Sequence, residues 1–335
     1  PEEGDATSFL NWVDVWKGYH FNFTKILADI DVLKNFDVVM MSGHPSHIVD
    51  IIKIAKFLKE GALIVIESTV NPGTCEEIVL PILKTSKKKF SLAHCPERID
   101  PGNSRYRLKN IPRVVGGLDK KSTKLAAKFY RSFLGAEVKE VSSLKVAEAS
   151  KIVENTFRDI NIAYVNELAM SFDKLGIDVV ETIEAAKTKP FAFMAHYPGA
   201  GIGGHCIPVD PYYLIERAKK AGFTHEFLKI ARRVNRGMPA YTVSLLEKLL
   251  GSLKGKTVGV LGLTYKRDIP DLRESPALEI IKILRQKGAR IIAYDPYLTR
   301  LPGEVFSKSA KSAGSGIFLA KSVHDAAWNL FVGTL

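Results

Sequence analysis

A chain of 335 residues that is 46% hydrophobic and 25% charged has the composition of a soluble globular protein with room for two or three domains. No apolar run approaches the roughly 18 residues of a helical membrane span, so membrane insertion is not expected. The net charge of +12 sits in short runs (Lys87–Lys89, Lys219–Lys220, Arg232–Arg233) without interleaved aromatics or a groove-reading motif, and nucleic-acid binding is not expected either. The three cysteines, Cys75, Cys95 and Cys206, are too few and too scattered for a disulfide framework or a metal-ligand pattern. They fit a reducing cytoplasm. The opening Pro1-Glu-Glu-Gly4 is neither a signal peptide nor an initiator methionine, and reads as the start of a fragment.

From about residue 36 to 140, short apolar runs alternate with amphipathic stretches. Phe36–Ser42, Ala62–Glu67, Phe90–His94 and Arg113–Gly116 read as buried strands, with helices at Ile48–Lys59 and Ser122–Leu134. This βαβ rhythm implies a parallel sheet covered by helices. Asn71-Pro-Gly-Thr74 follows a strand and feeds a helix start at Cys75-Glu-Glu77. Cys75 there reads as a packed small side chain, although a helix start can also lower a thiol's pKa. Ser143–Leu175 then carries helical periodicity without proline or glycine, long enough to join two lobes or to pack against a partner chain. Gly176 ends it, and Asp178–Ala186 restarts a shorter helix.

Residues 198–213 hold four glycines within six positions, then Cys206 and, four residues on, Asp210. Glycines let backbone approach a ligand, and a thiol in a polarising setting suits covalent chemistry at a carbonyl carbon. The plainer alternative is an ordinary loop with a buried, inert cysteine. A helical stretch from Tyr212 to Leu250 is expected to break near Gly222 and at Gly237-Met-Pro239. A second α/β lobe begins with the strand and glycine turn of Gly255–Leu263, followed by a strand at Ala289–Tyr294, and the periodicity decays after Leu301, with Ser307–Ser315 read as a loop. The fold class is α/β: two Rossmann-like parallel-sheet lobes joined by a central long-helix region, divided as 1–141, 142–250 and 251–335, with the N-terminal lobe incomplete.

Several segments together resemble the nucleotide-sugar 6-dehydrogenases, the UDP-glucose/UDP-N-acetylhexosamine dehydrogenase family. They are Glu67-Ser-Thr-Val-Asn-Pro-Gly-Thr74, Cys95-Pro-Glu-Arg98 with Pro101-Gly102, and Arg113-Val-Val-Gly-Gly117. The long helix contributes Glu148-Ala-Ser-Lys151, the run from Glu154 to Ala163, and Asn166-Glu-Leu168. The Cys206 loop, Gly262–Asp268 and Asp271–Pro276 complete the set, which spans roughly residues 60 to 300.

The resemblance implies a four-electron oxidation of a sugar C6 alcohol to a carboxylate with NAD as cofactor. Cys206 would attack the C6 aldehyde and carry a thioester. Lys151 and Asn155, spaced i and i+4 on one helix face, would stabilise charge on oxygen. Asp210 would manage a proton, Glu97 would act as base for thioester hydrolysis, and Thr69 would lie beside the nicotinamide and the catalytic water. The cofactor set is Thr69, Glu97, Gly203 and Arg273; the substrate set is Glu97, Arg98, Lys151, Asn155, Arg158, Gly201 and Lys266. His205 is read as structural or substrate-contacting, since adjacent side chains rarely face each other. The Cys206 loop and the Asn155–Asn161 run resemble the N-acetylhexosamine branch, and Lys187–Met194 is closer to the UDP-GlcNAc or UDP-GalNAc enzymes than to the UDP-ManNAc enzymes. A homodimer through the long helix is expected, in the cytoplasm, with a UDP-sugar as the small-molecule partner.

Three departures from that family stand out. The first βαβ unit, with its glycine fingerprint, is not recognisable in residues 1–35; Gly43-His-Pro-Ser46 stands where a Pro-Thr-Pro-type loop is usual; and the chain's end lacks the strands that complete the third domain. As written, such a chain would bind NAD poorly, having no glycine cradle for the pyrophosphate. Two readings follow: an active dehydrogenase of which this is a part, or a non-catalytic relative that binds a UDP-sugar or a partner.

Overall fold

A computed structural model describes residues 37–41, 48–100, 103, 105–298 and 317–319. The departures at 1–35 and Gly43–Ser46, the Pro101-Gly102 pair and the Ser307–Ser315 loop lie outside the described residues. The chain forms two compact units, Pro1–Ile152 and Val153–Leu335.

The first unit is built on a five-stranded sheet in the order β1 (Val38–Met41), β2 (Leu63–Ile66), β3 (Ser91–His94), β4 (Arg113–Gly117), β5 (Val138–Glu140). All four residues of β2 are buried, and its period-2 alternation divides them between two cores. Ile64 and Ile66 pack with Ile51 and Ile54 of α1 (Ile48–Phe57), with Leu58 just past its end, and with Leu83 of α2 (Leu80–Lys84). Leu63 and Val65 pack with Ala126, Ala127 and Tyr130 of α3 (Lys120–Arg131). A sheet buried on both faces is what the apolar runs predict for a doubly wound arrangement.

The strand pairing departs from the all-parallel expectation at one place. β1–β2, β2–β3 and β4–β5 are parallel, but β3 and β4 run antiparallel. Parallel neighbours need a crossover, generally a helix, whereas the described residues between β3 and β4 form none. The Cys75 segment enters α2 through a π-helical turn, Cys75–Val79.

Helix α4 spans Leu144–Leu175 in 32 residues, as its unbroken periodicity predicts, and the boundary between the units falls within it. In the second unit, Asp178 caps α5 (Val179–Lys187), its carboxylate accepting the Val180 and Glu181 amides. Helices α6 (Asp210–Lys220) and α7 (Glu226–Leu250) follow. The expected break at Gly237-Met-Pro239 does not occur: α7 runs through it, with Met238 and Pro239 buried. Proline costs the helix one hydrogen bond, and burial of both side chains offsets that loss.

A parallel three-stranded sheet completes the second unit: β6 (Thr257–Leu261), β7 (Arg290–Tyr294) and β8 (Ile317–Leu319), with α8 (Pro276–Gln286) between the first two. Val243 of α7 and Ile281 and Leu284 of α8 pack with Ile291 and Ala293 of β7 in its core. Strand β8 lies past Leu301, in the stretch where the periodicity decays.

Candidate functional site

The loop between α5 and α6 places the Cys206 thiol at the surface, exposed and outside any disulfide, which rules out the buried alternative. The Cys206 carbonyl accepts the amides of Val209 (3.1 Å) and Asp210 (2.8 Å), the turn from which α6 starts. Asp210 in the first turn of α6 is 3% exposed, and its Oδ2 accepts the Asn155 side-chain amide at 2.5 Å. Asn155 of α4 is thereby tied to the turn that carries the thiol. Burial raises the Tyr213 hydroxyl pKa, as do the nearby charges of Asp210 and Cys206.

Two glycines just before Cys206 are sterically required. A Cβ on Gly203 would lie 2.5 Å from Tyr265 Cβ, and one on Gly204 (φ +88°) would lie 2.8 Å from the Tyr265 ring. The Gly204 amide donates to the Arg273 carbonyl at 2.8 Å, so the loop is pinned to the segment between β6 and α8. That segment holds Asp268 and Glu274 in left-handed backbone conformations (φ +63° and +50°), which is costly for residues other than glycine. Arg273 grips Asp271 through Nε–Oδ1 (3.1 Å) and Nη2–Oδ2 (2.6 Å). That hydrogen bonding raises the Arg273 pKa, and the Cys206 charge adds to the effect. A cation near a thiol favours the thiolate. Lys266 is half-buried, next to Tyr265.

In the first unit, the candidate residues follow the carboxyl ends of β2 and β3. Thr69 is half-buried. Glu97 Oε1 accepts the Arg98 and Ile99 amides at 2.6 and 2.8 Å, and its Oε2 accepts Arg113 Nη2 at 2.9 Å. The Arg98 guanidinium donates to the Pro112 carbonyl at 2.9 Å. Behind Glu97 lies Glu67, 7% exposed, whose Oε1 accepts the Tyr130 hydroxyl at 2.7 Å. Burial pushes the Glu67 carboxyl up to about 7, with the Glu97 charge adding to it and the Tyr130 hydrogen bond and Arg113 opposing it.

The turn after β2 is fixed from α4. Glu148, fully buried, accepts the Gly73 amide at 2.5 Å and the Cys75 amide at 2.8 Å. The Cys75 thiol lies 3.9 Å from His94 Nδ1, and burial, reinforced by the Glu148 charge, raises its pKa well above that of an ordinary thiol. Cys75 is therefore a packed side chain, not an activated one. Ligand atoms of Cys75, His94 and Glu148 lie within 4.8 Å of one another, but both carboxylate oxygens already hold backbone amides.

Thus the second unit gathers Asn155, Gly201, Gly203, Cys206, Asp210 and Arg273 around one loop and the segment it touches. Lys151, half-buried, precedes Asn155 by one helical turn at the end of the first unit, and Arg158 is exposed on α4. Thr69, Glu97 and Arg98 belong to the first unit. Sequence reasoning missed Glu67, Tyr130 and Arg113 as a connected group, and Asn166 and Asn235 beneath the loop. Their side-chain partners are 16 to 76 residues distant, so no local spacing marks them.

Three family profiles match the chain. The NAD binding domain, the central domain and the UDP binding domain of the UDP-glucose/GDP-mannose dehydrogenase family match residues 46–134, 145–237 and 259–327. A UDP-N-acetyl-D-glucosamine 6-dehydrogenase of Pseudomonas aeruginosa is 36% identical over 312 residues, 88% of this chain and 74% of its own length. A UDP-N-acetyl-D-mannosamine dehydrogenase of Methanococcus maripaludis is 38% identical over 83% of this chain, which spans only 63% of that relative. Among solved structures, a UDP-D-ManNAc dehydrogenase from Pyrococcus horikoshii is 36% identical with a TM-score of 0.74, covering 80% of this chain and 67% of that one. An NDP-N-acetyl-D-galactosaminuronic acid dehydrogenase from Methanosarcina mazei is 30% identical with a TM-score of 0.75, covering 89% and 67%. The chain belongs to the UDP-glucose/GDP-mannose dehydrogenase family.

Proposed function

We propose that this chain serves an NAD-dependent 6-dehydrogenase that oxidises a UDP-N-acetylhexosamine of the GlcNAc or GalNAc type to its uronate through a thioester on Cys206. The observation that carries the reading is the exposed Cys206 thiol on a glycine loop whose following turn is bonded, through Asp210, to Asn155 of the long helix. The described residues suit the nicotinamide end of the cofactor: Thr69 and Glu97 lie past the carboxyl ends of strands β2 and β3, the edge at which such sheets take ligands. NAD+, when bound, accepts the hydride in each of two oxidations.

The chain's own groups supply the rest. Lys151 and Asn155 stabilise oxygen bearing negative charge while the alcohol is deprotonated and while Cys206 adds to the aldehyde. Asp210, held by Asn155, orients that amide and takes part in moving the proton. Addition of the Cys206 sulfur gives a thiohemiacetal, and its oxidation gives the thioester. Glu97 then takes a proton from water as the carbonyl–sulfur bond breaks, releasing the carboxylate and the thiol. Arg98, Arg158, Gly201 and Lys266 are assigned to the UDP-sugar, and Arg273 and Gly203 to the cofactor side.

A second reading, oxidation of UDP-N-acetylmannosamine, is favoured by several relatives with that activity in their names, at 35–40% identity. We also read the protein as three domains, 1–141, 142–250 and 251–335, acting in the cytoplasm as a homodimer through α4. Val153, Phe157 and Tyr164 are 48–58% exposed on that helix, as a face awaiting a partner would be. Among the described residues no helix is long and apolar enough to cross a membrane.

The test is a panel of UDP-sugars assayed for NADH formation with the complete protein, wild type and Cys206→Ser. Turnover of one N-acetylhexosamine, lost by about a thousandfold or more in Cys206→Ser, is expected. Undiminished NADH formation by Cys206→Ser rejects the thioester route. Binding without any turnover in the wild type would favour a non-catalytic relative. Light scattering that finds only monomer removes the dimer.

A further inference from the structure

We propose that Asn166, backed by Asn235 and the Asp159–Arg232 pair, is a positioning residue that tethers the glycine loop and so fixes where Cys206 stands. The proposal rests on the reading of Cys206 as the nucleophile and deepens it.

Asp159 and Asn166 lie two helical turns apart on one face of α4; Arg232 and Asn235 lie about one turn apart on α7. All four are at most 5% exposed. Arg232 Nη1 donates to Asp159 Oδ1 at 2.6 Å. The Asn235 side-chain amide donates to the Asp159 carbonyl and to its Oδ1, both at 2.9 Å. Asn166 Nδ2 in turn donates to Asn235 Oδ1 at 2.9 Å. The chain of bonds ends outside the helix pair: Asn166 Oδ1 accepts the Gly199 amide at 2.9 Å, seven residues before Cys206.

Two helices pack well enough on apolar side chains alone, and a buried polar network is costly wherever a member goes unsatisfied. Asp159 Oδ2 and Arg232 Nε find no hydrogen-bond partner among the described residues. What this arrangement does, and an apolar seam could not, is reach a backbone amide of the loop. The loop touches the same structure again two residues later. A Cβ on Gly201 (φ +128°) would lie 3.3 Å from the Asn235 carbonyl oxygen and 3.3 Å from Pro276 Cγ. Pro239, four residues beyond Asn235, has no amide proton to give that carbonyl, so the helix leaves it without its usual donor where the loop passes. Downstream, the Gly204 amide is bonded to Arg273 O and the Cys206 carbonyl starts α6. Asn166 is the upstream anchor of this series.

The experiment measures hydrogen exchange and steady-state kinetics on the complete protein, as wild type, Asn166→Ala and Asn166→Asp. Asn166→Ala removes the acceptor. It is expected to speed exchange at residues 198–206 at least about tenfold without changing α7, and to lower kcat by about 10- to 100-fold with KM nearly constant, since misplacement by an ångström carries that order of effect. Asn166→Asp keeps an acceptor for Gly199 and replaces the donor to Asn235 with a carboxylate oxygen. It is expected to retain slow exchange in the loop, whereas a residue that merely clamps the helices would give two equally disturbed variants. Loop exchange unchanged in a folded Asn166→Ala, or raised equally in both variants, overturns the proposal. If neither variant folds, the wild type decides: a Gly199 amide exchanging as slowly as those of α7 supports the tether, and one exchanging as fast as exposed turns overturns it. Full turnover by Cys206→Ser would overturn the reading of Cys206 and leave the tether, which the exchange data judge alone.

Discussion

The two units hold their candidate residues by different physics. In the first, Glu67, Glu97, Arg113 and Tyr130 form a partly sealed group of ionisable side chains, and geometry there depends on who carries a proton. In the second, the Cys206 loop is held by its own backbone amides and by glycines pressed against Tyr265. Side-chain anchors of the first kind tune charge; backbone anchors of the second kind tune position. The long helix serves both, with Glu148 accepting amides beneath the turn after β2 and Asn166 accepting one beneath the loop.

The largest effect that would test this contrast comes from the one buried ion pair under the loop. Asp159→Ala leaves Arg232 charged and 5% exposed, and should cost about 3–5 kcal/mol in urea unfolding. A cost below about 1 kcal/mol would mean that the pair is not the interior anchor described.

Next in size is a pH effect confined to the first unit. The Glu67 pKa is raised from 4.5 to about 7, so the folded state holds the proton more tightly than the unfolded chain. Its contribution to stability is present below about pH 4.5 and is lost as the pH rises to about 7, roughly 3 kcal/mol over that span. Glu67→Gln keeps an acceptor for Tyr130 and should flatten that part of the stability profile. A profile unchanged by Glu67→Gln would assign the slope to other groups.

Smaller again, Gly204→Ala forces a Cβ toward the Tyr265 ring at φ +88° and should cost about 1–3 kcal/mol. The loss should be independent of pH between 5 and 8, in contrast to Glu67→Gln. A pH-dependent loss would blur the division between the two kinds of anchor.

How far the sequence foretold this molecule varies by element. Strand β2 and helix α4 were readable because their signals are local: four apolar residues in a row, or thirty without glycine or proline. The run Gly237-Met-Pro239 misled for the same reason, since its punctuation is local and the burial that overrides it is not. The antiparallel return of β4 has no signature beyond a helix-free connection, and β5 escaped notice because only Val138 of its three residues is buried. Helix α8 was announced by Ser275-Pro276, a capping residue before a first-turn proline, and was simply not read. Of the candidate site, Cys206, Asp210 and Asn155 could be picked out from motif and resemblance, and the structure brings them together. The supports beneath them could not be, because a buried glutamate or asparagine looks like any surface residue until its distant partner is known.

Asp295, past the end of β7, carries a consequence for how the molecule fails. It is 3% exposed, and its carboxylate accepts the amides of Leu263, Thr264 and Tyr297. Burial works against the charge, but those hydrogen bonds outweigh it and hold the pKa below the ordinary 3.8. The stabilisation is therefore in place above that value and drains away as acid takes the pH beneath it. Strong acid should loosen this corner early, freeing the β6 turn and the Lys266–Arg273 segment from which the thiol loop hangs. A protease active in acid should then cut first between Leu263 and Ser275, leaving the five-stranded sheet whole.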